Sequence, residues 1–183
     1  MGFVCTVCGQ YHDERLLDAV APVPDRWLEL SRWQRVRSRR ARSICRIRDG
    51  LRDRFYLRGI VELPVAELDD SFRWGVWAEV GREDFERAWK RWDDADAAGD
   101  EYRGTLDNHL PYPAETRGLA VLLRERGGDD VPLIEVLEDA HPLAHEQRSG
   151  ISVERADELA APYVHQPRSS GSPRADQSLH EPG

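Results

Sequence analysis

Cys5 and Cys8, in the stretch FVCTVCGQYH, have the spacing that lets two thiolates share one tetrahedral ion. His12 follows a turn of chain later, and Cys45 can close the set from an adjacent strand. Cys5, Cys8, His12 and Cys45 are therefore the expected ligands of a CCHC zinc site. Gly9 suits the tight turn after the second cysteine, because glycine takes positive φ without steric cost. A zinc with four protein ligands is structural, whereas a site with three keeps a position for water and is catalytic. A redox use of C-T-V-C lacks the βαβ context and helix N-terminus that activate such thiols.

The segment HPLAHEQ brings together His141, His145, Glu146 and Gln147. In a catalytic reading His145 and Glu146 are a base and the acid that orients it. No nucleophile of defined spacing accompanies them, and a histidine and a carboxylate on one helical face commonly cap or pair. Trp77 is the other candidate for a ligand or partner surface. It has the opposite parity to Trp74 on one strand, so both can be buried only if the sheet is covered on both sides. With His141, Glu146 and Gln147 it forms the expected binding surface for a protein or small ligand.

Eight arginines lie between Arg32 and Arg48. Self-repulsion places Arg35 to Arg42 at the surface, as a solvated connection rather than a nucleic-acid site. Only Trp27 and Trp33, at its edge, offer rings for base stacking.

These residues must be positioned by a framework centred on Phe55 to Val80. Phe55, Leu57, Gly59, Val61, Leu63 and Val65 share one parity, and Phe72, Trp74, Val76, Ala78 and Val80 repeat it after a polar interruption, which predicts a hairpin. Asp49-Gly50 predicts the turn before it, and Ile44 to Ile47 a strand before that. A short helix from Pro24 is expected to dock Trp27, Leu28, Leu30 and Trp33 on the sheet. A helix from about Arg82 to Ala97 turns Phe85, Ala88, Trp89 and Trp92 to one side. Further strands are expected at Tyr102 to Leu106, Leu119 to Arg124 and Val131 to Leu137, with Gly127 to Asp130 as a turn. Helices follow over Leu143 to Arg148 and, capped by Ser152, over Val153 to Ala161. The predicted fold is α+β: a mostly antiparallel, curled sheet of five to seven strands, one main amphipathic helix, two or three smaller helices and an N-terminal CxxC knuckle. Residues 1–165 are the expected single domain and 166–183 a disordered tail, since QPRSSGSPRADQSLHEPG has too little to bury.

Across 183 residues the formal charge is -8 and the pI about 5.3. Such a balance disfavours nucleic-acid backbones and anionic membranes as generic partners. No apolar run approaches the roughly 20 residues a membrane span requires, and no signal peptide is evident. Three cysteines, an odd number, fit a reducing compartment. A soluble cytoplasmic protein is the expectation.

Taken in order, FVCTVCGQYH, SICRI, RFYLRGIVELPV, FRWGVWAEV with EDFERAWKRW, LDNHLPYPAET and LIEVLEDAHPLAHEQRSGIS resemble the bacterial family DUF2199, over about residues 3 to 165. The resemblance implies one small bacterial domain with no assigned activity. Its hallmarks fall on Cys5, Cys8, Gly9, His12, Cys45, His141, Pro142, Leu143, Ala144, Glu146, Gln147, Gly150 and Ile151. Arg103 and Thr105 stand where family members carry an aromatic pair, and the arginine run and tail are peculiar to this chain. No phosphate-cradling glycine loop, nucleophile with a neighbouring base or H-E-x-x-H motif is present. The expected function is a non-catalytic binding module with a structural zinc. The alternative is a metal-dependent hydrolase with a three-ligand zinc and Glu146 as general base.

Overall fold

The computed structural model describes residues 3–4, 9–12, 14–50, 52–92, 94–128 and 130–164. A small hairpin pairs β1 (Phe3–Val4) with β2 (Tyr11–His12). The main sheet contains β3 (Asp18–Val20), β4 (Arg39–Arg40), β5 (Ile44–Asp49), β6 (Arg52–Val65), β7 (Asp70–Val80), β8 (Glu101–Leu106), β9 (Ala120–Arg124) and β10 (Leu133–Val136). The helices are α1 (Asp25–Leu28), α2 (Arg32–Arg37), α3 (Arg82–Lys90), α4 (Pro142–Ser149) and α5 (Val153–Val164), with a 3-10 turn at Ala95–Ala97.

The predicted hairpin is β6 and β7, in antiparallel register from Phe55 opposite Val80 to Val65 opposite Asp70. Each long strand divides its other edge between two partners. β7 takes β3 in parallel along Arg73 to Gly75 and β8 in antiparallel along Ala78 to Val80. β6 takes β5 in antiparallel up to Leu57 and β10 in parallel at Ile60. Because β10 returns to β6, the ring β6-β7-β8-β9-β10 closes into a five-strand barrel within a mixed eight-strand sheet. The sheet is thus larger than the expected five to seven strands and carries two parallel pairings. Local alternation reveals a strand but not the direction of its neighbour.

The barrel interior collects one parity of the hairpin: Leu57, Val61, Leu63, Phe72, Trp74, Val76 and Ala78 are all fully buried there. The opposite parity is covered too. Tyr56 and Trp77 pack on the outer face with Leu30, Cys45 and Ile47, flanked by Ala21 and Trp27. The two tryptophans of one strand therefore lie in different cores.

Two helical expectations are corrected. Trp33 is 80% exposed rather than docked on the sheet, because the helix from Pro24 ends at Leu28 and a new one begins after Ser31. Ser31 and Gln34 make a reciprocal capping box that resets the helical phase. Trp89 is 57% exposed rather than packed inward. Phe85 and Ala88 occupy the inward stripe of α3, Phe85 against Phe55 with ring centroids 5.1 Å apart, and α3 stops at Lys90. No described helix is long and apolar enough to cross a membrane.

Candidate functional site

Three of the predicted site residues fasten α4 to the barrel. His141 is the N-cap of α4, its Nδ1 accepting from the Leu143 amide at 3.1 Å, with Pro142 in the first turn. Glu146 accepts from the Tyr112 hydroxyl at 2.5 Å and from Arg155 Nε at 2.8 Å. Burial and this carboxylate push the Tyr112 phenol well above its ordinary pKa. Gln147 behaves as a short piece of strand: its Oε1 accepts from the Val136 amide at 2.9 Å and its Nε2 donates to the Ile134 carbonyl at 2.6 Å. Gly150 then turns with φ +78, in space where a Cβ would stand 2.9 Å from the Pro64 carbonyl oxygen. Ile151 bridges Val65 of β6. His141 Nδ1, Glu146 and Gln147 are engaged in holding elements, Glu146 with a cation and a hydroxyl on its two oxygens, while the buried His141 Nε2 has no hydrogen-bond partner among the described residues.

Trp77, at 1% exposure, presents no surface. Its indole Nε1 donates to the Ala21 carbonyl at 3.1 Å, and its amide donates to Asn108 Oδ1 at 2.8 Å. Asn108 Nδ2 donates in turn to the Val23 carbonyl and to Asp25, both at 3.0 Å. The LDNHLPYP loop thereby ties α1 to the hairpin, and Thr116 closes it by accepting from the Leu110 amide and donating to the Asn108 carbonyl.

Cys5 and Cys8 lie outside the described residues, as does the side chain of His12. Gly9 has φ +69, the conformation expected for the cysteine turn. Cys45 is fully buried among Leu30, Ile47, Tyr56 and Trp77. Burial pushes its thiol up to about 12, so this setting favours the protonated form. Among the described residues, no three His, Cys, Asp or Glu side chains are grouped to hold a metal ion.

One concavity among the described residues is one that residue patterns did not indicate. It lies where β6 changes partners: the Arg58 amide donates to the Ser43 carbonyl beside β5, and the Ile60 amide to the Pro132 carbonyl leading into β10, both at 2.9 Å. Gly59 sits at this fork because a Cβ there would be 2.7 Å from the Ile134 side chain and 2.8 Å from the Pro132 oxygen. The cleft has a volume of about 610 Å³ and is lined by Arg42, Arg58, Arg126, Asp130, Trp89 and Trp92, among others. That volume falls in the range of small-molecule sites, roughly 300–1,000 Å³.

Arg58 is half-buried and has neither an ion pair nor a side-chain hydrogen bond among the described residues. Burial and neighbouring Arg42 lower its pKa from the usual guanidinium value. Its position depends on Gly75, where a Cβ would come within 3.2 Å of the Arg58 Nη2. Arg126 donates to the Val131 carbonyl at 3.0 Å and lies 3.7 Å from Asp130. A glycine within strand β6 was the one sequence sign of close backbone approach at this place.

Arg42 and Arg58 belong to a wider pattern. Among the described arginines outside 32–58, all but Arg103 have an acidic partner within 4.0 Å. Within 32–58, Arg46, Arg48 and Arg54 are paired with Asp53 or Glu79. Arg32, Arg35, Arg37, Arg39, Arg40, Arg42, Arg52 and Arg58 have no acidic partner among the described residues. Arg35 instead donates to the Leu28 carbonyl, and Arg40 lies 5.5 Å from the Trp27 ring centroid. A concave surface along α2, β4 and β5 is lined by Val36, the unpaired Arg37 and Arg39, and Arg46 and Arg48, which pair with Asp53.

Architecture and site together define a small α+β barrel protein with a stretch of arginines that have no acidic partner among the described residues and a cleft at a strand fork. The chain belongs to the family described as "Uncharacterized protein conserved in bacteria (DUF2199)", whose model matches residues 4–151. The match spans the cysteine turn, the hairpin, the fork and α4 as far as Ile151. No curated protein and no solved structure matches the chain.

Proposed function

We propose that this protein is a non-catalytic binding module whose working region is the stretch of unpaired arginines on α2, β4, the β4–β5 turn and β6, and whose partner is an anionic protein or small ligand. The supporting observation is the distribution of ion pairs. In a chain of net charge -8, carboxylates pair with nearly every described arginine elsewhere and leave eight arginines of the 32–58 segment without an acidic partner among the described residues. Screening over about 8 Å at physiological salt makes that local field, rather than the net charge, what a partner meets. At pH 7.5 the protein is expected to be retained on the polyanion heparin despite its acidic pI, and Arg37→Glu/Arg39→Glu to elute at clearly lower salt. Passage of the unaltered protein without retention would overturn the proposal.

The same module carries a structural zinc held by Cys5, Cys8, His12 and a fourth protein ligand other than Cys45. The antiparallel pairing of β1 with β2 and the positive φ of Gly9 support a knuckle at this position. The apolar neighbours of Cys45, among them Leu30, Ile47, Tyr56 and Trp77, support a packing role for that residue. Purified protein is expected to hold one equivalent of zinc by elemental analysis. Cys8→Ser should lose the metal and Cys45→Ala should keep it. Metal-free wild-type protein, or loss of zinc in Cys45→Ala, would refute this ligand set.

A further inference from the structure

We infer that the cleft at the β6 fork is a specific site for a nucleoside phosphate, its phosphate held by Arg42, Arg58 and Arg126 and its base stacked on Trp89. This deepens the proposal that the unpaired arginines bind anions, and rests on it. Arg58 lies at the point where β5 and β10 separate, half out of water and without a counter-charge. A guanidinium kept in that state carries a desolvation cost that an entering anion offsets. Its planar fork is suited to phosphate oxygens.

Charge selects the class of anion. Among the described residues, three arginines against one carboxylate, the 68% exposed Asp130 at 3.7 Å from Arg126, leave the lining at +2. A phosphate monoester carries about -1.5 to -2 near neutral pH, whereas a single carboxylate would leave the site positive. The rings select what the phosphate is attached to. Trp89 is 57% exposed and Trp92 is half-buried, and both line the same cleft. An indole left in water beside a cationic cleft provides a stacking surface for a nucleobase. The cleft volume of about 610 Å³ admits a mononucleotide.

Titration of the full chain with adenosine 5′-monophosphate, inorganic phosphate and adenosine, followed by calorimetry and tryptophan fluorescence, tests this. The monophosphate is expected to bind saturably, at least about tenfold more tightly than either fragment, and to quench fluorescence. Arg58→Ala and the exposed Arg42→Ala should each weaken it by about tenfold or more. Trp89→Ala should reduce the monophosphate to the affinity of inorganic phosphate, and Arg39→Ala, outside the cleft, should leave binding unchanged. No saturable binding of the monophosphate, or equal binding by folded Arg42→Ala and Arg58→Ala proteins, would overturn the inference. If heparin retention still depends on Arg37 and Arg39 in that case, the arginine stretch stands and only the cleft assignment fails. If retention is also absent, both fall.

Discussion

Tyr112 and Glu146, 34 residues apart in the chain, meet with the phenol donating to the carboxylate across 2.5 Å. Arg155 completes the contact from α5, donating to the other carboxylate oxygen and lying with its guanidinium carbon 5.4 Å from the Tyr112 ring centroid. A proline-rich loop, α4 and α5 are thus joined through one carboxylate. This arrangement accounts for Glu146 by fastening rather than by proton transfer.

Tyr112→Phe removes the donor while keeping the buried ring. It should destabilise the protein by about 1.5–3 kcal/mol, the range for a hydrogen bond to a charged group. Glu146→Gln should cost a similar amount, and the double variant less than the sum because the two share one interaction. Urea unfolding of the four proteins checks this. Additive losses, or unchanged midpoints, would show that the contact does not hold the helices.

Gly59→Ala places a methyl group 2.7 Å from Ile134 and 2.8 Å from a backbone oxygen of Pro132, and the backbone cannot rotate away as a side chain tip does. A loss of about 1–3 kcal/mol is expected from overpacking. Gly81→Ala is the control, since its φ is -62 and an added Cβ meets nothing nearer than 4.0 Å. It should cost less than about 1 kcal/mol as a helix N-cap change. Thermal or urea midpoints that rank the two glycines the other way would show that the fork is not tightly packed.

Glu125 is raised to about 7, by burial first and by Asp100 second. An unfolded glutamate titrates near about 4.3, so between these values the folded protein holds a proton that the unfolded chain has released. The contribution of this group to stability is full below about pH 4.3, falls as pH rises through 7 and is absent above it. Glu125→Gln keeps a neutral side chain at all pH values. Its urea midpoint relative to wild type should therefore rise between pH 5 and pH 8, and a difference that stays flat would refute the assignment.

Much of the framework was legible in the residues themselves. Two runs of alternating apolar residues predicted β6 and β7, and the opposite parity of Trp74 and Trp77 made burial of both conditional on a sheet covered on both sides, with Trp77 expected at a surface. Asp49-Gly50 marked the turn into β6, where Gly50 has φ +61, and Ser152 marked the start of α5, accepting from the Arg155 amide. These signals are local: side-chain period and turn chemistry are set by neighbours along the chain.

Barrel closure was not legible, because alternation identifies the buried face of a strand but says nothing of which strand lies along its edge. Backbone amides and carbonyls are the same at every non-proline residue. Only the tertiary structure decided that β6 exchanges β5 for β10 at Gly59, and that exchange creates the cleft. It also decided which polar groups are spent on structure and which are left free. Glu146 and Gln147 have the composition of a site yet are fully engaged by Tyr112, Arg155 and the backbone of β10. Arg58, one arginine among many in the sequence, has no acidic partner among the described residues, with its Nη2 beside Gly75 of β7.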